Sequence, residues 1–101
     1  MFGDMMGKLQ EMQQNLQVSK DKLSQLRIEA EAGNGAVKIV MDGNKKLLSI
    51  SFEDSMCLPE RKEELEDYTV LAFQKALAQA EEKWEEEMKG SAGSLFSGLG
   101  L

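Results

Sequence analysis

The residue types on which acid–base and nucleophilic catalysis most often depend are scarce in this sequence. It contains no histidine and a single cysteine, Cys57, so it offers neither a nucleophile–base pair nor an internal disulfide. Gly33, Gly35 and Gly43 follow neither the dinucleotide-binding nor the Walker phosphate-binding pattern. We therefore predict that the protein is not an enzyme and needs no cofactor. Cys57 is predicted to be a buried or half-buried structural thiol of a cytoplasmic protein.

A run of carboxylates in the second half of the chain is the other group that could do chemistry, by holding a divalent cation. Calcium and magnesium sites need oxygens that converge from a loop, whereas this run falls in a stretch with helical periodicity. We therefore predict a solvated helix face and no metal site. The residues of the run are Glu81, Glu82, Glu85, Glu86 and Glu87.

The net charge of −6 is distributed unevenly along the 101 residues. Residues 1–34 carry four basic and five acidic side chains, residues 35–56 carry three of each, and residues 57–101 carry five basic and ten acidic ones. The first half is therefore nearly neutral, and the acidity belongs to the second half. A chain this short forms one small domain, for which dimerisation is a natural way to bury more surface.

Three short segments alternate between apolar and polar residues, which predicts strands with one apolar face each. They span residues 26–32, 37–41 and 48–52. Gly33-Asn34-Gly35 joins the first two, and Asp42-Gly43-Asn44 is typical of a hairpin turn. The three strands should form a small antiparallel sheet whose apolar face must be covered.

Two long helical patterns flank these strands. The first is predicted over residues 4–25, with Asp4 as its N-cap, and its narrow apolar stripe suits packing against one partner helix. The second should begin near Pro59 and end at Gly90, with alanines at every fourth position that permit close approach. The fold class is thus α+β, with one domain over residues 1–89 and a flexible Gly/Ser-rich tail over residues 90–101. The apolar residues of the first stripe are Met5, Leu9, Met12, Leu16, Leu23 and Leu26, with Ser19 at the one polar position of the repeat, and the alanines are Ala72, Ala76 and Ala80.

The predicted helices are longer than the sheet that they would cover. At about 1.5 Å per residue they measure roughly 33 Å and 45 Å, whereas a six-residue strand spans about 20 Å. Parts of both helices must therefore extend beyond the sheet and pack on each other or on a second subunit. No apolar run is long enough to cross a membrane.

The order and spacing of several short motifs resemble the YbaB/EbfC family of bacterial nucleoid-associated proteins. Met1-Phe2-Gly3 precedes a Met/Gln-rich helix that contains Met12-Gln13-Gln14. The segment from Gly35 to Gly43 is similar to the family's glycine–valine strand and following turn, and Leu48-Ser49-Ile50-Ser51-Phe52 is similar to its next strand. Leu65-Glu66-Asp67 with Ala72-Phe73 and Ala76 resembles its second helix.

This resemblance implies a cytoplasmic, nucleoid-associated homodimer in which the sheets join centrally, the helices project as arms, and duplex DNA is bound. Such binding would follow the phosphate backbone with little sequence selectivity and could affect nucleoid organisation and gene expression. An alternative to DNA binding is that the arm lysines merely increase solubility. A second alternative is that the protein is an acidic helical adaptor, which binds another protein through its arms or tail and does not bind DNA. The candidate DNA-binding residues are Lys8, Lys20, Lys22, Lys83 and Lys89.

Overall fold

The protein is an α+β molecule in which two long helices flank a three-stranded sheet, as the sequence predicts. The computed structural model describes the backbone of residues 2–98 and the side chains of residues 5–90. Its overall dimensions are 68 × 23 × 15 Å, so the molecule is elongated. The elements in chain order are α1 (Phe2–Gln25), β1 (Ile28–Ala32), β2 (Val37–Met41), β3 (Leu47–Phe52), two short 3-10 turns (Asp54–Met56 and Pro59–Arg61) and α2 (Lys62–Gly98).

Both helices extend beyond their predicted ends. Helix α1 begins at Phe2, two residues before the predicted N-cap Asp4, so that prediction is wrong. Helix α2 continues past Gly90, where we predicted that it would end. Glycine lowers the stability of a helix interior without breaking it, and Gly90 is not among the residues with positive φ. Residues 99–101 of the predicted tail lie outside the described residues, and the flexible tail stays a prediction.

Cys57 lies between the two 3-10 turns and is exposed. The prediction that this thiol is buried or half-buried is therefore wrong.

The sheet is antiparallel in the order β1-β2-β3, and its register places the predicted apolar residues on one face. Ala30 pairs with Ile39, and Ile39 pairs with Ile50. Helix α2 packs on this face through its alanines, whose short side chains allow the helix to lie close to the strands. The buried core consists of Ile28, Ala30, Ala32, Val37, Ile39, Met41, Ala72, Ala76 and Ala80.

Helix α2 leaves the apolar side of β3 uncovered within this chain. Leu48, Ile50 and Phe52 remain 39%, 40% and 43% exposed, although their neighbours on β2 are fully buried. Within this chain, the apolar face of the sheet is therefore covered at β1 and β2 and not at β3. Since β3 is also an edge of the sheet, one side of the domain presents both apolar side chains and strand backbone without a described strand partner.

Burial along α1 decreases from the sheet outwards. Ser19 and Leu23 are buried, Met12 and Leu16 are half-buried, and Met5 is 64% exposed. The predicted narrow stripe is therefore present, but the rest of the described chain buries only its C-terminal part. The outer part of α1 forms an arm with an apolar strip along it.

The turn between β2 and β3 is the hairpin predicted at residues 42–44, but its glycine has a different role from the one expected. The left-handed residue of the turn is Lys45, with φ of 69°. Gly43 has no positive φ and is needed because the turn lies against α1. A β-carbon at Gly43 would stand 2.8 Å from both the Leu23 Cδ2 and its carbonyl oxygen.

Replacement of Gly43 by alanine should therefore destabilise the protein by about 1–3 kcal/mol, because a backbone carbonyl of α1 must move to accommodate the methyl group. Urea unfolding followed by circular dichroism measures the difference. Gly90→Ala is the control, since a β-carbon there has no heavy atom within 4 Å. Its free energy of unfolding should be equal to or greater than that of the unaltered protein. Equal stability of the two variants would contradict the close-approach explanation.

Candidate nucleic-acid interface

Three elements meet where the arm leaves the sheet, and we call this region the junction. It comprises residues 20–27, at the end of α1 and the start of the connection to β1, residues 42–46 of the turn, and residues 83–87 of α2. The Gly43 amide donates to the Leu23 carbonyl at 2.8 Å. The Asn44 side-chain amide donates to the Lys20 carbonyl at 3.0 Å. The turn is thus hydrogen-bonded to α1 at two successive positions.

The Asp42 side chain fixes the conformation of the turn by accepting hydrogen bonds from its backbone. Its side-chain oxygen Oδ1 accepts hydrogen bonds from the backbone amides of Asn44, at 2.8 Å, and Lys46, at 2.9 Å. The Asp42 backbone amide also donates to the Lys46 carbonyl at 2.9 Å. These bonds compensate for the loss of water around a residue that is 5% exposed. The turn is consequently a fixed platform for the two lysines that follow Asn44.

One of these lysines also contacts α2. The Lys45 ammonium lies over the Trp84 ring, 4.7 Å from its centroid, in a cation–π interaction. Trp84 is half-buried and is the one tryptophan of the chain. Because α1, the turn and α2 are bonded to each other here, the lysines of all three elements are carried on one connected support.

Two of the predicted site lysines at the junction are engaged by acidic side chains of α2. Lys22 lies 3.9 Å from a carboxylate oxygen of Glu87, and Lys83 lies 3.7 Å from one of Glu86. Lys22 and Lys83 line the same groove, together with both acids. Exposed pairs of this kind contribute about 0–1 kcal/mol, so their lysines remain able to exchange one anionic partner for another.

The remaining predicted lysines are exposed and separate. Lys20 is at the junction, Lys8 is nearer the N-terminal end of α1, and Lys89 is near the end of the described side chains on α2. The structure therefore brings Lys20, Lys22 and Lys83 to one region and leaves Lys8 and Lys89 along the arm.

Sequence reasoning missed two lysines of the junction, Lys45 and Lys46. They follow Asp42-Gly43-Asn44 directly, so the predicted hairpin already placed them on an exposed turn. What the sequence could not disclose is that this turn is hydrogen-bonded to the backbone of α1 beside Lys20. Within residues 2–98, no helix is sufficiently long and apolar to traverse a bilayer.

Comparison with known proteins agrees with this architecture. The chain is 39% identical over 95 residues to a nucleoid-associated protein of Beijerinckia indica, covering 91% of this chain and 94% of the relative. It is 39% identical over 88 residues to a nucleoid-associated protein of Flavobacterium johnsoniae, covering 87% and 81%. The crystal structure of an uncharacterized Helicobacter pylori protein has the same fold, with a TM-score of 0.78, 22% identity and coverage of 95% and 97%.

The same assignment follows from the match to a family model. Residues 1–95 match the YbaB/EbfC DNA-binding family. This range includes α1, the sheet, the junction and all of α2 except its last three residues. The chain therefore belongs to the YbaB/EbfC DNA-binding family.

Proposed function

We propose that this protein is a homodimeric, nucleoid-associated protein of the cytoplasm that binds duplex DNA through the phosphate backbone with little sequence selectivity. Membership of a DNA-binding family and the names of the bacterial relatives support this proposal. The observation that carries it is the set of exposed lysines on an elongated arm and at its junction. Such binding would affect nucleoid organisation and gene expression. No catalytic activity is proposed.

The homodimer is supported by the uncovered side of β3. Leu48, Ile50 and Phe52 form a row of exposed apolar side chains on an edge strand. A second copy of the same strand can pair with the free backbone edge and cover this row at the same time. Phe73, on the α2 helix that packs against the neighbouring strands, is also 38% exposed. Dimerisation through β3 would join the two sheets centrally and leave both pairs of helices projecting.

Replacing Ile50 with aspartate should convert the dimer into a monomer, since a charge would be buried in the proposed interface. Ser49→Asp is the matched control, because Ser49 is the adjacent residue on the opposite face of β3. Sedimentation equilibrium at micromolar concentration, with circular dichroism to check folding, distinguishes the two. A monomeric unaltered protein, or a dimeric Ile50→Asp variant, would contradict the proposed dimer.

Contact with DNA is assigned to basic side chains of the arms. Lysine ammonium groups neutralise phosphates and release counterions, which makes affinity strongly dependent on salt. The acids on α2 oppose this attraction, so α1 is the more favourable surface. A dimer presents each lysine twice. The proposed contacts are Lys8, Lys20, Lys22, Lys83 and Lys89.

Changing Lys8, Lys20 and Lys22 together to glutamate should abolish DNA binding without unfolding the dimer, because repulsion replaces three attractions in each subunit. Fluorescence anisotropy with a labelled duplex measures the affinity. A control with the same charge change alters Lys38, Lys62 and Lys75, which are exposed and lie on the sheet or the sheet-proximal part of α2. If the first variant binds DNA as the unaltered protein does, the assigned surface is wrong.

Neutralising Glu87 should have the opposite effect. Glu87→Gln removes the acid nearest to Lys22 and one negative charge from the junction, so affinity for duplex DNA should rise roughly threefold. Glu63→Gln removes a charge of the same sign at the far end of α2 and should leave affinity nearly unchanged. An increase of the same size in both variants would mean that only total charge matters.

The alternative function is that of an acidic adaptor that binds another protein and not DNA. The exposed apolar residues of the outer arm, Met5, Met6 and Leu9, favour this possibility. Titration with duplex DNA at about 50 and 200 mM salt separates the two functions. A phosphate-binding protein loses affinity steeply with salt, whereas an adaptor has no measurable affinity for DNA at either concentration.

A further inference from the structure

The five lysines of the junction differ in whether a carboxylate contacts them. Within the described side chains, Lys22 and Lys83 form ion pairs with acids of α2, while Lys20, Lys45 and Lys46 take part in none of the ion pairs. An external anion therefore meets no competing carboxylate contact at Lys20, Lys45 or Lys46. Their positive charge is available at the surface.

The backbone that carries these lysines is held more firmly than an ordinary hairpin loop. Asp42 bonds two amides of the turn, and the turn in turn bonds two carbonyls of α1. A platform that is ordered before binding loses less conformational entropy when a ligand docks. The side chain of Lys45 is further positioned by its contact with Trp84.

We infer that Lys45 and Lys46, together with Lys20, form a phosphate-binding surface on the β2–β3 turn that contacts the DNA backbone at the base of the arm. This inference rests on the proposed DNA binding and adds a contact element outside the two helices. The partner is a polyanion with regularly spaced phosphates. The contacts are electrostatic and carry no base specificity, because lysine ammonium groups on phosphates do not read base edges.

Three features together favour phosphates over an acidic protein segment as the partner. The lysines come from two different elements that are hydrogen-bonded to each other, so their spacing is set by the fold. Both turn lysines are exposed, and Asn44, which precedes them, is a half-buried polar residue. The family to which the chain belongs is a DNA-binding one.

The test uses the full-length double variant Lys45→Asn, Lys46→Gln. Asparagine is chosen at position 45 because it tolerates the left-handed backbone that Lys45 adopts. Each lost phosphate contact should reduce the salt slope by about 0.9. The ratio of Kd at 200 mM to Kd at 50 mM salt should therefore fall about twelvefold when the turn of one subunit contacts the duplex, and further when the turns of both subunits do. Anisotropy titrations with a labelled duplex at both salt concentrations give this ratio. Thermal melting verifies that the variant is folded.

The matched control is Lys38→Gln, Lys62→Gln, which removes the same charge from the sheet and the beginning of α2. Its salt ratio should equal that of the unaltered protein. If the turn variant is folded and keeps the salt ratio of the control, the inference is overturned. Loss of binding by the Lys8, Lys20 and Lys22 variant would in that case leave the proposed function intact. If the unaltered protein binds no DNA, both are overturned.

Discussion

The close packing of α2 on β1 and β2 is the constraint from which the rest of the molecule follows. Ala72, Ala76 and Ala80 lie on the core side of the helix and are fully buried. Their small side chains bring the helix axis near the strands, and α2 therefore covers two strands and leaves β3 open. The same helix continues far beyond the sheet, where α1 is its neighbour. The position of α2 over β1 and β2 leaves the core incomplete, and its length, 37 residues against strands of five or six, produces the projecting arm.

The junction connects these two parts of the molecule. Its turn is bonded to α1, and Lys45 reaches Trp84 on α2, so the direction of the arm is coupled to the sheet through hydrogen bonds and one cation–π contact. Lys45 and Lys46 are thus carried on a turn that contacts both helices, whereas Lys8 and Lys89 lie along the arm. The base of the arm therefore combines positively charged side chains with a hydrogen-bonded backbone, although the neighbouring helix α2 is acidic.

Much of the architecture could be predicted because the relevant signals are local. Period-two alternation placed Ala30, Ile39 and Ile50 on one face, and Pro59 marked the approach to α2. The role of Gly43 could not be predicted, since it depends on Leu23, which is distant in sequence. The exposure of β3 depends on where α2 crosses the sheet. The place of Lys45 and Lys46 in the junction could not be predicted for the same reason, because it depends on a contact between the turn and α1.

The gradient of burial along α1 has a mechanical consequence. Leu23 is sealed, Met12 is partly covered and Met5 is largely in water, so the free-energy cost of local opening decreases from the sheet towards the N-terminus. The arm is therefore stiff at its root and compliant at its tip. A rod with this profile can adapt its outer turns to a curved surface while its base keeps a constant angle.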